Sequence, residues 1–314
     1  MLGSARTRAT VGLGVALVVA AACGGTDFSR RTVVPAGNNV TPTAPAVVTR
    51  NPVLRAKLTR SVATTSAART ARTSISVTLT GLGDDSLATG AYDIAGTGVV
   101  DFVKRDADLS LSIPLLDRLG GGGAVEERIV GGVVYTKMPL GVLRAAGLPA
   151  TVRWLSLDPK DAAGADPSAL SQSQVDPAGQ LAFLAAVSDD VRTIGDEPVR
   201  SVATTHYAAT IDRVLDSRGE ARMAALRAKL AQLRSAVGAR GLALDVWLDR
   251  AGRVRRIVVS VPLAPRSDAV AADQVGSDAT LRIQGDFYAF GTAVRVAAPP
   301  QSQTRPYGTL RIGS

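Results

Sequence analysis

"LALDVWLDRAGRVRRIVVSVPL", residues 242–263, alternates apolar and polar side chains on both sides of a short turn. Leu242, Leu244, Val246 and Leu248 share one face, "DRAG" reverses the chain, and "RVRRIVVSV" returns. Successive side chains of a strand point to opposite faces, so this spacing marks an antiparallel hairpin with one buried face. The pattern continues on either side. "SISVTLTGLG" sets Ile75, Val77 and Leu79 against Ser74, Ser76, Thr78 and Thr80. "YDIAGTGVVDFVK" and "RDADLSLSIPLL" repeat it, the second with Leu109, Leu111 and Ile113 on one face. "VEERIVGGVVYTKMP" reads as two short strands about Gly131-Gly132, a hairpin pair, and "VATTHYAATIDRVL" is a further strand. "ATLRIQGDFYAFG" and "AVRVAAPP" finish the body.

Three stretches break the period of two. Val53, Leu54, Leu58 and Val62 recur at helical spacing, which predicts an N-terminal helix within residues 51–73. "DPAGQLAFLAAVSDDVRTIG" offers Asp176 as N-cap, Pro177 in the first turn and an apolar stripe of Leu181, Leu184 and Val187. Residues 219–241, "GEARMAALRAKLAQLRSAVGARG", are bounded by glycines and rich in strong helix formers, with Met223, Leu226, Leu230, Leu233 and Val237 on one face. "RWLSLDPKDAAGADPSALSQSQVDP" has no regular period and predicts a surface excursion. Strands and helices in this order define an α+β domain on a largely antiparallel sheet.

The chain of 314 residues is 46% hydrophobic and 20% charged, with only 4% aromatic residues. Ala, Val and Gly therefore fill the core, a composition suited to sheets. The formal charge of +9 falls to +7 without Arg6 and Arg8. No segment forms a Lys/Arg tract with interleaved aromatics, so the charge does not point to nucleic acid. A basic exterior beside anionic lipid is the better use.

Arg6 and Arg8 precede an apolar run from Val11 to Ala22, which ends in the small residues before Cys23. The run is shorter than the roughly 20 residues a membrane-spanning helix needs and has the form of a signal peptide, residues 1–22. "VAAAC" resembles a bacterial lipobox, with Ala20 where Leu is commoner. Cys23 is the only cysteine, so a disulfide within one chain is impossible, and a thiol at this junction is explained by acylation. Two acyl chains anchor stably where one is marginal. Residues 23–50, rich in Gly, Pro, Thr and Asn, read as a flexible tether. The folded body is placed at 51–300 and a polar C-terminal tail at 301–314.

Reactive constellations are sparse. His206 is the only histidine and alternates with Tyr207 along a strand, where it reads as a structural residue. No GxSxG surrounds a serine. Asp84-Asp85 and Asp189-Asp190 are adjacent acids in turns and read as solvated, since glycosidase chemistry needs carboxyls opposed across a cleft. "GGGG" at 120–123 lacks the Lys-Ser/Thr of a phosphate loop and reads as a connection. Trp154 and Trp247 read as apolar anchors, Trp247 beneath a helix. No catalytic residue, cofactor or metal site is assigned, and the chain is not read as an enzyme.

Three segments together, "IGDEPVRSVATTHYAATID" (194–212), "LDVWLDRAGRVRRI" (244–257) and "GGVVYTKMP" (131–139), resemble motifs of the actinobacterial LppX/LprG-type lipoproteins. The resemblance covers about residues 55–300. It implies a LolA-like curved antiparallel half-barrel, helices over its concave face, and between them an apolar cavity for the acyl chains of lipids or glycolipids. The implied function is a lipid carrier or chaperone, anchored to the outside of the cell membrane through Cys23, with an envelope transporter as a conceivable partner. The alternative is a structural or protein-interaction lipoprotein with a filled core. Candidates for the cavity wall are Val77, Leu79, Leu111 and Ile113 on the early strands, and Val133, Tyr135 and Met138 on the second hairpin. Leu184, Leu226 and Leu230 would join them from the helices and Val246 from the third hairpin.

Overall fold

The computed structural model describes residues 50–82, 93–118, 122–158, 177–211, 242–262 and 275–307. The leader, Cys23, the tether, Asp84-Asp85, Asp176 and the helix expected at 219–241 lie outside them.

Asn51 opens helix α1 (Pro52–Ser66): its side-chain oxygen accepts from the Leu54 N–H at 3.0 Å, and Pro52 occupies the first turn, where a missing N–H costs nothing. The helix stops earlier than its spacing predicted. Arg69 takes a left-handed φ of 67°, and strand β1 (Thr70–Leu82) begins at once. Sheet pairing claims residues 70–73, with Thr70 opposite Asp101 and Arg72 opposite Tyr288.

Twelve strands form one large, open, curved sheet in the order β12-β6-β5-β4-β3-β2-β1-β11-β10-β9-β8-β7. The other strands are β2 (Ile94–Asp101), β3 (Asp106–Ser112), β4 (Ala124–Val130), β5 (Val133–Lys137), β6 (Trp154–Leu157), β7 (Arg192–Val199), β8 (Val202–Ile211), β9 (Leu242–Asp249), β10 (Val254–Pro262), β11 (Val275–Tyr288) and β12 (Thr304–Pro306). All pairings are antiparallel except β12 with β6. The expected half-barrel class of sheet, with few helices, is thus the one observed.

The third hairpin pairs β9 with β10, Val246 opposite Ile257 and Leu244 opposite Val259, with a register shift between Val254 and Arg256. Asp249 organises its turn, accepting from the backbone N–H groups of Ala251 and Arg253, each at 3.0 Å. At the second hairpin Gly131 and Gly132 both have positive φ, 59° and 86°, as a tight two-residue turn requires.

Three strands depart from the sequence reading. β6 lies in the stretch expected to be an excursion, and its Trp154 and Leu155 are buried. β7 has no apolar face to betray it, since seven of its eight residues are exposed. β12 falls in the segment read as a polar tail. The helix expected from Asp176 is a short α4 (Pro177–Gln180) continuing as a 3-10 helix (Leu181–Ala186), yet Leu181, Leu184 and Val187 are buried as its stripe predicted. Two further short helices, α2 (Pro114–Arg118) and α3 (Leu140–Ala145), follow β3 and β5.

The sheet's inner face carries two apolar clusters. One joins strands β8 to β11, with Ala71 of β1 and Val100 of β2, to α1 and the 3-10 helix, centred on Leu58, Leu184, Leu244 and Ile257. The other joins β1 to β6 with α2 and α3, centred on Leu109, Leu116, Val125 and Leu143. The described helices thus lie over this one face.

Candidate functional site

Strand register decides which expected cavity residues face inward. Leu111 and Ile113 are buried in the second cluster with Met138, and Val77 packs against it. Leu79 is half-buried on the same side of β1, opposite Leu281. Leu184 and Val246 are fully buried in the first cluster. The candidates are therefore divided between two clusters. Leu226 and Leu230 lie outside the described residues.

Val133 and Tyr135 do not belong with the rest. Val134 and Thr136 are the buried positions of β5, opposite Ile129 and Glu127, so the alternate residues Val133 and Tyr135 point to the outer face. The two-residue turn sets this phase, and a slip of one residue would exchange the faces. Lys137, Arg128 and Trp154 share that outer face; the Arg128 guanidinium lies 4.8 Å from the centre of the Trp154 ring.

Sequence reasoning missed the polar part of the inner face. Thr73 on β1 is fully buried, Glu127 on β4 is 2% exposed, and Gln180 at the end of α4 is 3% exposed. Thr73 stands opposite Gly98 on β2 and Phe287 on β11, and Gly285 is one inward step away. Gln180 rests on Gly285: a Cβ there would lie 1.9 Å from its Oε1. Thr73, Gly98, Gly285 and Gln180 form a polar and glycine-lined seam between the two clusters. Its sequence signal was glycine within the strands, Gly98 in β2 and Gly285 in β11, which marks close approach of another group.

The outer face bears a compact ionic cluster. The His206 ring stacks on Trp247, centroids 4.0 Å apart and planes 12° from parallel, with Nε2 2.8 Å from Asp245. Trp247 Nε1–H donates to Glu197. Trp247 thus packs beneath a histidine on the face away from the helices, not beneath a helix as expected. Asp286 accepts two bonds from Arg256, at 2.7 and 2.8 Å, and these hold the guanidinium pKa above its ordinary value. Arg200 reaches the same carboxylate and lies 4.1 Å from the centre of the Tyr288 ring. These contacts lock side chains to the sheet. His206 is held by the Asp245 carboxylate and the Trp247 ring, with Glu197 Oε1 4.0 Å from its Nδ1.

A surface depression of about 460 Å³ lies at the β9–β10 turn, lined by Val202, Ala203, Asp249, Arg250, Ala251, Arg253 and Arg255. Asp249 engages Arg253 and Arg255 there at 2.9 and 2.8 Å. Burial opposes the Asp249 charge, but the Arg253 backbone bond, the Arg255 side-chain bond and both positive charges outweigh it and lower its pKa.

No family model and no curated protein matches the chain. Among solved structures the chain is similar to lipoprotein LppX of Mycobacterium tuberculosis, at 17% identity over 78% of this chain and 99% of that one, with a TM-score of 0.43. It is similar to LprF from Mycobacterium bovis at 14% identity, over 80% and 98% of the two chains, with a TM-score of 0.43. A domain from Vibrio parahaemolyticus, described as of the outer membrane lipoprotein-sorting kind, matches at 10% identity over 75% and 92%, with a TM-score of 0.22. At such identities and TM-scores each is at most a likeness of fold.

Proposed function

We propose that the protein is an extracytoplasmic lipoprotein, held to the cell membrane through acylated Cys23, that shelters the acyl chains of a lipid or glycolipid and carries them within the envelope. The observation that supports this best is the inner face of the sheet. Ten of the twelve strands, all but β7 and β12, present an apolar surface on that side, and the described helices over it are only 4 to 15 residues long. Val77, Leu79, Leu111, Ile113 and Met138 are the proposed chain contacts. Each methylene leaving water contributes about 0.8 kcal/mol, so a long chain has ample driving force without any reaction. No chemical step is proposed.

The lipoprotein reading draws on the mycobacterial neighbours and on "VAAAC". Among the described residues no helix is long and apolar enough to cross a membrane, so a lipid anchor is the proposed attachment. The test is detergent extraction of the full chain followed by mass spectrometry of co-purifying molecules, with uptake of a fluorescent fatty acid alongside. A stoichiometric acyl lipid is the expected result. Absence of both bound lipid and uptake would remove the carrier reading.

A second reading, an interaction lipoprotein with a filled core, draws on Leu184 and Val246, which are 0% exposed within a packed cluster. It predicts that the same extraction yields a ligand-free protein and a partner cross-linked at its surface.

A further inference from the structure

We infer that the seam at Thr73, Gly285 and Gln180 is a recognition site for the neutral oxygen functions of a lipid, an ester carbonyl together with a free hydroxyl. The inference rests on the carrier reading and adds what kind of lipid is chosen and where it is gripped. An acyl carrier needs polar groups only at its mouth, where the head meets water. This chain buries a carboxamide and a hydroxyl in the middle of its apolar face instead. Gln180 is 3% exposed and Thr73 0%, and neither the two amide atoms nor the Thr73 Oγ1 has a hydrogen-bond partner among the described residues.

Burying such groups unpaired forfeits their hydration with nothing in return, so the arrangement is costly unless something satisfies it. Gly285 makes it possible at all, because any side chain there would collide with Gln180 Oε1.

The donor and acceptor inventory defines the ligand. Gln180 offers N–H donors through Nε2 and an acceptor through Oε1, and the Thr73 hydroxyl can donate or accept. The complementary molecule supplies a carbonyl oxygen to receive the N–H and an O–H to bond the amide oxygen. Its charge must be zero. The buried polar side chains among the described residues include no Lys or Arg, and an ionised carboxylate at the seam would lie in apolar surroundings without a counter-ion. A partial glyceride, with ester carbonyls, one hydroxyl and two chains, meets all three demands. Its chains would extend along the two clusters that flank the seam.

The full chain, extracted in detergent, stripped of bound lipid and moved to an amphipathic polymer, is titrated with dioleoylglycerol, oleate and the oxygen-free hydrocarbon squalene. The wild type should bind dioleoylglycerol most tightly. Gln180→Leu should weaken dioleoylglycerol by roughly three- to tenfold and leave squalene unchanged, with Thr73→Val moving in the same direction. Equal affinity of the wild type for dioleoylglycerol and squalene would overturn the inference while sparing the carrier. So would unchanged dioleoylglycerol binding in Gln180→Leu, which would make the amide a seat for water alone. Binding of none of the three lipids would remove the carrier reading and this one together. If Gln180→Leu fails to fold, Thr73→Val and the wild-type ranking decide.

Discussion

Asp190 stands between Ser188 and Thr210. Burial works against its charge, but hydrogen bonds from both side chains and the Thr210 backbone N–H prevail, and its pKa lies below the ordinary 3.8. A depressed carboxylate stabilises the fold fully above its unfolded value and ceases to do so as pH falls through the folded one. Asp190→Asn should therefore cost about 1–3 kcal/mol at neutral pH in chemical denaturation, and the gap from wild type should close as pH falls from 3.8 through the lowered value. Asp249, lowered too, adds to the same acid slope. Asp108 has the opposite sign: burial foremost raises its pKa, so its contribution is present below 3.8 and lost as pH rises past that value. The sequence reading of Asp189-Asp190 as solvated fails because the decisive partner, Thr210, is 20 residues away. Local spacing carries no trace of such a contact. His206 was legible as structural from its place on a strand, whereas its stacking on Trp247 required the pairing of β8 with β9.

At the scale of elements, legibility follows the buried face. β3 from Ala107 and β9 up to Val246 bury one alternating set, so their sequences carry the period openly. β7 lacks a buried set and β6 has only four residues, too few to show a period. Their structure comes from neighbours, with β7 paired to β8 and β6 held between β5 and β12. The phase of β5 was equally hidden, which is why Val133 and Tyr135 were expected inside. Two substitutions probe element ends and contacts. Asn51→Ala removes the cap of α1 and should lower stability by about 1 kcal/mol, read as a shift in denaturation midpoint. Gly285→Ala drives a methyl into Gln180 and should cost about 1–3 kcal/mol, since α4 or β11 must move apart. An unchanged midpoint in Gly285→Ala would mean that the amide is free to swing off the sheet.

For the whole molecule, attachment and fold are separable. Cys23→Ser should abolish labelling by radioactive palmitate and move the protein from the membrane fraction to the soluble one, while the circular dichroism of the folded body is unchanged. Retention at the membrane would show another anchor. The sheet order has a kinetic corollary. β1 to β6 and β7 to β11 each follow one another in the sheet in the order of the sequence, so each half pairs sequence neighbours. Within the sheet the halves join where β1 pairs with β11, at pairs such as Thr80 and Thr280, 200 residues apart. Closing so long a loop is entropically costly and slows folding. Docking of the halves should thus be the rate-limiting step, and substitutions that weaken their junction should slow refolding. Stopped-flow traces of Gly285→Ala would show whether the last join made is also the slowest.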